Sequence, residues 1–268
     1  MIKELNIFLK KENILMAGLG FSAGLPIMLV FSTLSVWLVK AGIERSTVTL
    51  FSWAGFAYSF KFLWSPIVDK FQIPFLNKIG HRKSWLFITQ ILILLSIILA
   101  SYSNPQGNLK FMALSIVLIA FFSATQDIVI DAFRIESAPE KKQGPLSSMY
   151  LAGYRVAMIV SGAGSLWLAS YLGSETYQQD VWKQVYQIIS LFMSVGLICT
   201  LLSTEPNIKN KNKTNWLNQV KFTFSTILSI IIFFIIFFNF PKINNLNYFF
   251  IFILNIIKIL LSFTFSIF

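Results

Sequence analysis

The chain carries a succession of apolar runs, each roughly long enough to cross the ~30 Å hydrocarbon core of a bilayer as a helix. They fall at Ile14–Val39, Val48–Val68, Trp85–Tyr102, Phe111–Ile130, Leu146–Leu172, Val185–Leu202, Leu217–Phe240 and Tyr248–Phe268. A chain with this pattern has few options. In hydrocarbon every backbone N–H and C=O must be paired within the protein, and a helix pairs them inside one segment. Composition agrees: 56% of residues are hydrophobic and 12% charged, too few polar groups to cover a soluble domain. The expectation is an all-α, polytopic transmembrane helix bundle of about eight spans.

Charge placement gives an orientation. Lys3, Lys10 and Lys11 precede the first run, Lys70, Lys78, Arg82 and Lys83 follow the second, Arg134, Lys141 and Lys142 the fourth, and Lys209, Lys211 and Lys213 the sixth. The intervening loops carry fewer cations: Lys40 and Arg45, Lys110, and Lys183. This is the positive-inside pattern, so the N-terminus and the even-numbered loops are expected in the cytoplasm. It also accounts for the net charge of +11 without nucleic acid. The first apolar run exceeds the 7–15 residues of a signal-peptide core, so it is expected to be retained. Cys199 and His81 are the only cysteine and histidine, which leaves no disulfide framework and no cysteine or histidine cluster for a metal. No cofactor is expected. Neither a Ser–His–Asp set nor a phosphate loop is present, so the chain does not read as an enzyme.

Residues 1–205 read as a six-helix unit. Gly20, Gly24, Gly162 and Gly164 are small enough for close helix approach, GFSAG at 20–24 is a GxxxG pattern, and Pro26 is placed to kink the first span. From Asn207 to Phe268 the sequence contains no Asp, Glu or Gly and narrows to a Phe, Ile, Asn and Lys-rich text. This 206–268 tail reads either as two lipid-facing spans or as an A/T-rich stretch translated after a frameshift. The second is favoured, because packed transmembrane helices ordinarily use Gly or Ala.

Ionisable residues inside spans are costly and mark functional positions by default. Lys61, Asp127 and Arg155 qualify. Counted from the ends of their runs at ~1.5 Å per residue, each lies roughly 12–14 Å from the cytoplasmic surface, so the three are expected at one level. One reading is an ionic staple that orients helices. The other, preferred, has two cations attracting an anionic solute while Asp127 or Asp131 exchanges a proton; burial favours the neutral acid and a nearby cation the carboxylate. Gln126 is available to hydrogen-bond sugar or peptide groups. Asp131 and Glu136, nearer the surface, are expected to pair with Arg134 or the basic loops. In the loop after the second run, Asp69 and Lys70 precede Gly80, His81, Arg82 and Lys83. This resembles the motif with which major facilitator transporters latch their cytoplasmic gate, with Ser65 in place of a Gly and about ten residues inserted between the halves.

The stretches GFSAGLP (20–26), TLSVWLVKAGI (33–43), YSFKFLWSPIVDKFQIPFL (58–76), GHRKSWL (80–86), ATQDIVIDAFRIE (124–136) and GYRVAM (153–158) together resemble the AmpG family of muropeptide permeases, a branch of the major facilitator superfamily. The resemblance implies a secondary transporter of the bacterial inner membrane, importing anhydro-muropeptides from peptidoglycan with protons. It places Lys61, Gln126, Asp127, Asp131 and Arg155 on family motif positions. The family has twelve spans in two halves, and the resemblance covers the first, ending near residue 206 as truncation or a frameshift would leave it. The chain alone is therefore expected to be inactive unless a second half-transporter chain completes it. An acetyl-CoA-type anion transporter of the same superfamily and a non-transporting membrane remnant are the alternatives.

Overall fold

The computed structural model describes residues 7–173 and 177–206. The two tail spans, and the reading of the tail as out of frame, lie outside the described residues. By compactness the chain divides into one unit of residues 1–61 and 67–208 and a second holding 62–66 and 209–268. The described residues are helical, with no strand among them. Helix α1 (Lys11–Val30) and α2 (Ser32–Lys40) form the first passage. Three short helices follow, α3 (Arg45–Leu50), α4 (Phe56–Ser59) and α5 (Ser65–Lys70). Then come α6 (His81–Ser101) and α7 (Leu109–Ser137), and α8 (Gln143–Ile159) with α9 (Ser165–Leu172). The last passage is α10 (Gln179–Leu191) with α11 (Met193–Leu202). Among the described residues five continuous stretches, Lys11–Lys40, His81–Ser101, Leu109–Ser137, Glu140–Leu172 and Gln179–Leu202, are long and apolar enough to cross a membrane.

The second apolar run departs from the single helix expected of it. Tight 3₁₀ turns at Phe51–Gly55 and Lys61–Leu63 separate α3, α4 and α5. Pro66 has no N–H to give the Phe62 carbonyl, and the Ser65 hydroxyl donates to that carbonyl instead, at 3.1 Å. Gly55 leaves room for the Phe31 ring, which lies 3.2 Å from where a Cβ would stand and 6.3 Å from the Tyr58 ring.

Two other irregularities are stitched together across the bundle. The first passage runs through Pro26 and breaks at Phe31, where the Tyr186 hydroxyl donates to the Leu29 carbonyl at 2.9 Å. The Thr33 hydroxyl donates to the Ser161 carbonyl at 2.8 Å, inside a π-turn at Val160–Gly164 that interrupts the passage between α8 and α9. Backbone groups freed by a break are thus taken up by neighbouring helices, as hydrocarbon requires.

Close approach of α1 to α8 sets the centre of the bundle. A Cβ at Gly20 or Gly24 would fall on the carbonyl groups of Tyr150 or Tyr154, and one at Gly153 on that of Ala17. The GFSAG glycines are therefore contact glycines, whereas Gly162 and Gly164 have ordinary clearance. Around this contact α6 packs on α7, and α11 packs on both α1 and α6. Toward one end the core is aromatic: the Trp37 and Trp182 rings stack at 5.7 Å, with Tyr186 4.9 Å from Trp37.

Candidate functional site

Helix α7 delivers Gln126 and Asp127 to two different neighbours, since consecutive residues on a helix point about 100° apart. Asp127 faces the broken second passage. Its Oδ2 lies 3.7 Å from Lys61 Nζ, and its Oδ1 is buried with no hydrogen-bond partner. The Asp127 side chain is 13% exposed and that of Lys61 33%, so the pair sits at the edge of the packed interior. Tyr58 lies beside Ser123, and Tyr58, with Tyr150 and Tyr154 of α8, lies in the neighbourhood of Asp127. The Tyr58 and Ser123 hydroxyls are buried without a partner in hydrogen-bonding geometry. A carboxylate with one oxygen free of partners can exchange a proton or accept a hydrogen bond from a solute.

Gln126 points inward instead. It is fully buried, and its Nε2 donates to the Ser22 hydroxyl of α1 at 2.6 Å, which in turn donates to the Leu19 carbonyl at 2.8 Å. Gln90 on α6 approaches the same place through the gap left by Gly196, and its Oε1 accepts from Thr200 at 2.9 Å. Gln126 Oε1 and Gln90 Nε2 are buried and unpartnered. In this arrangement Gln126 belongs to a polar seam between α1, α6, α7 and α11.

Arg155 does not join Lys61 and Asp127. It is exposed on α8, with its guanidinium 3.6 Å from Met158 Sδ, and no carboxylate among the described residues lies within ion-pair distance. The expectation that all three charges meet therefore needs correcting. Depth along a span was counted from sequence, but the direction of each side chain around its helix comes from packing. Asp131, half exposed one turn along α7 from Asp127, pairs with Arg134 at 3.6 Å.

At the loop end of the bundle the basic cluster is organised by carboxylates. Arg82, 4% exposed, donates through Nη1 to Asp69 at 2.7 Å and through Nη2 and Nε to Glu136 at 2.7 and 2.9 Å. One guanidinium thus ties the end of α5 to the ends of α6 and α7, in the bidentate geometry that Arg gives and Lys does not. Glu205 sits on the N-terminus of α6. Its oxygens accept from the backbone N–H groups of Arg82 and Lys83 at 2.8 and 3.0 Å, the ordinary place for an anion at the positive end of a helix. Gly80 makes this possible: its φ is +109°, and a Cβ there would strike the Glu205 carboxylate. Lys83 Nζ donates to the Leu201 carbonyl at 3.2 Å, and Lys70 is exposed at the end of α5.

Sequence reading missed Glu205, the hydroxyls of Tyr58, Tyr150 and Tyr154, and the Ser22–Gln90–Thr200 seam. Only Glu205 carried a signal, as an acid standing alone at the end of a span. Among the described residues no group of three or more His, Cys, Asp or Glu side chains is arranged to hold a metal.

Spanning helices packed through glycines, with an ion pair and unpaired polar atoms held between them, define a polytopic membrane protein with a polar interior, the class to which solute transporters belong. The chain belongs to the Major Facilitator Superfamily, whose profile matches residues 14–268. It is 36% identical over 209 residues to putative transporter AmpG 4 of Rickettsia felis, an alignment covering 78% of this chain and 49% of that protein. It is 39% identical over 203 residues to the anhydromuropeptide permease of Escherichia coli K12, covering 75% of this chain and 39% of the permease. Putative transporter AmpG 3 of Rickettsia prowazekii is 36% identical over 198 residues, with 73% and 45% covered. The chain thus spans about half the length, or less, of these curated relatives.

Proposed function

We propose that this chain forms one six-passage wall of a proton-linked importer of anhydro-muropeptides in a bacterial inner membrane. The observation that carries the reading is the Lys61–Asp127 pair, held between passages with one carboxylate oxygen free, in a chain 39% identical to a protein named as an anhydromuropeptide permease. Lys61, Gln126, Asp127, Asp131 and Arg155 line or support the polar path. Asp69, Lys70, Gly80, Arg82 and Lys83, with Glu136 and Glu205, form the latch that closes it at one end. Residues 1–205 are the transporting unit and 206–268 a separate tail. A second bundle supplies the opposing wall, because alternating access needs two bundles that rock about a midplane site.

The test is uptake of radiolabelled anhydro-muropeptide by cells lacking their own permease. This chain alone is expected to give background uptake. Together with the second half of the Escherichia coli relative, it is expected to give saturable uptake that collapses when the proton gradient is dissipated. Background uptake from a well-inserted pair would count against the substrate; gradient-dependent uptake by the chain alone would put two copies of it in place of the second half.

The orientation follows from the placement of Lys and Arg, with the N-terminus and the loops around Lys78 and Lys141 in the cytoplasm. In a Cys199→Ser background, Lys78→Cys is expected to resist impermeant thiol reagents in intact spheroplasts and to react in inverted vesicles. The opposite result would reverse the topology.

A further inference from the structure

Of the five membrane-crossing stretches, Glu140–Leu172 is the least enclosed: 22% of its most apolar window is buried, against 39% or more in the others. Arg155 stands near the middle of that stretch, nine residues or roughly 13 Å into the apolar run that begins at Leu146. Its side chain is exposed and meets a methionine sulfur, while Lys61 has Asp127. A guanidinium at mid-bilayer cannot rest against lipid without a counter-charge or water, and it is too deep to reach an interface. Leu151 and Ile159, one turn to either side on the same exposed face of this stretch, are apolar and offer it nothing. The face around Arg155 therefore needs water or a counter-charge that no described residue supplies.

We propose that Arg155 is the residue that receives a carboxylate of the transported solute, in a water-filled path, and that Lys61 is not, because Asp127 already holds it. This rests on the transporter reading above and assigns the anion selectivity of that site to one side chain. Arg suits the role, since its planar fork binds a carboxylate through two parallel hydrogen bonds and stays charged at any physiological pH. Tyr154, the neighbour of Arg155 on α8, lies near Asp127, whose Oδ1 has no hydrogen-bond partner. A solute with a carboxylate at one end and hydroxyl or amide donors at the other fits both groups.

Two measurements on the chain co-produced with the second half of the Escherichia coli relative test this. In a Cys199→Ser background, Arg155→Cys is expected to react with an anionic, membrane-impermeant methanethiosulfonate at least about tenfold faster than Leu95→Cys, an exposed position on α6, because thiolate chemistry needs water. Equal rates would overturn the inference and leave the transporter reading standing. In nanodiscs, binding of an anhydro-N-acetylmuramyl tripeptide is compared with binding of the same probe with its carboxylates amidated. The unsubstituted chain is expected to prefer the acid by about tenfold or more, Arg155→Gln to lose that preference while keeping its affinity for the amidated probe, and Arg155→Lys to keep part of it. An Arg155→Gln chain that binds both probes equally more weakly, or that keeps the full preference, would refute the assignment; the latter would mean that Arg155 pairs with a carboxylate of the opposing bundle. Binding of neither probe to the unsubstituted chain would overturn the muropeptide reading itself, and the assignment with it.

Discussion

Arg82→Met is expected to destabilise the bundle by about 3 kcal/mol, the low end of the roughly 3–5 kcal/mol that follows when a buried ion pair loses one partner. The low end applies because Asp69 is 43% exposed and can be rehydrated, whereas Glu136 is 20% exposed and is left beside an apolar Met. Reversible unfolding in mixed micelles by an anionic detergent would measure the loss. Arg82→Lys should lie between, since a single ammonium cannot engage Asp69 and both oxygens of Glu136 at once. Adding Glu136→Leu to Arg82→Met should recover most of the loss, because the uncompensated carboxylate goes with it. An Arg82→Met chain within about 0.5 kcal/mol of the original would mean that the Arg82–Asp69–Glu136 cluster contributes nothing beyond an ordinary surface pair.

The second large effect is at Asp127. In the chain completed by a second half, Asp127→Asn is expected to reduce uptake to background while membrane insertion persists. The substitution keeps the shape and removes the exchangeable proton. It also leaves Lys61 without its partner, at a cost of roughly 1–2 kcal/mol given that Lys61 is a third exposed. These two consequences are separated by Asp127→Asn with Lys61→Met. If the pair is only a staple, removing both charges restores both stability and uptake. If the carboxylate carries the proton, the double variant recovers expression and remains inactive, which is the expected result. Uptake unaffected by the single change would take Asp127 out of the mechanism.

Both predictions turn on which carboxylate a given cation meets, and sequence reading did less well there than on the spans. Arg82 was legible as part of a basic cluster after Gly80, but its two-sided contact with Asp69 and Glu136 joins residues 13 and 54 positions away. Glu205, more than a hundred residues from the helix end it caps, became visible only when the ends of α6 and α11 were placed side by side. The broken second passage was half legible: Pro66 was in plain view, but an apolar run containing a proline also occurs in continuous kinked helices.

The sequence alone determined that the chain carries repeated apolar runs of membrane-crossing length, five of them matched by long helices among the described residues, and that Lys61, Asp127 and Arg155 are anomalous within its runs. The bilayer imposes a length and a polarity on every crossing segment, and both are properties of the local sequence. The contact made by GFSAG was readable for a similar reason, since only residues without bulk allow backbones to touch. Tertiary structure decided that Lys61 faces Asp127, that Gln126 turns inward to Ser22, and that Arg155 is left open. Position along a helix gives depth in the membrane, but the direction in which a side chain points is fixed by how helices pack and where they break, and those follow from contacts between residues far apart in the chain.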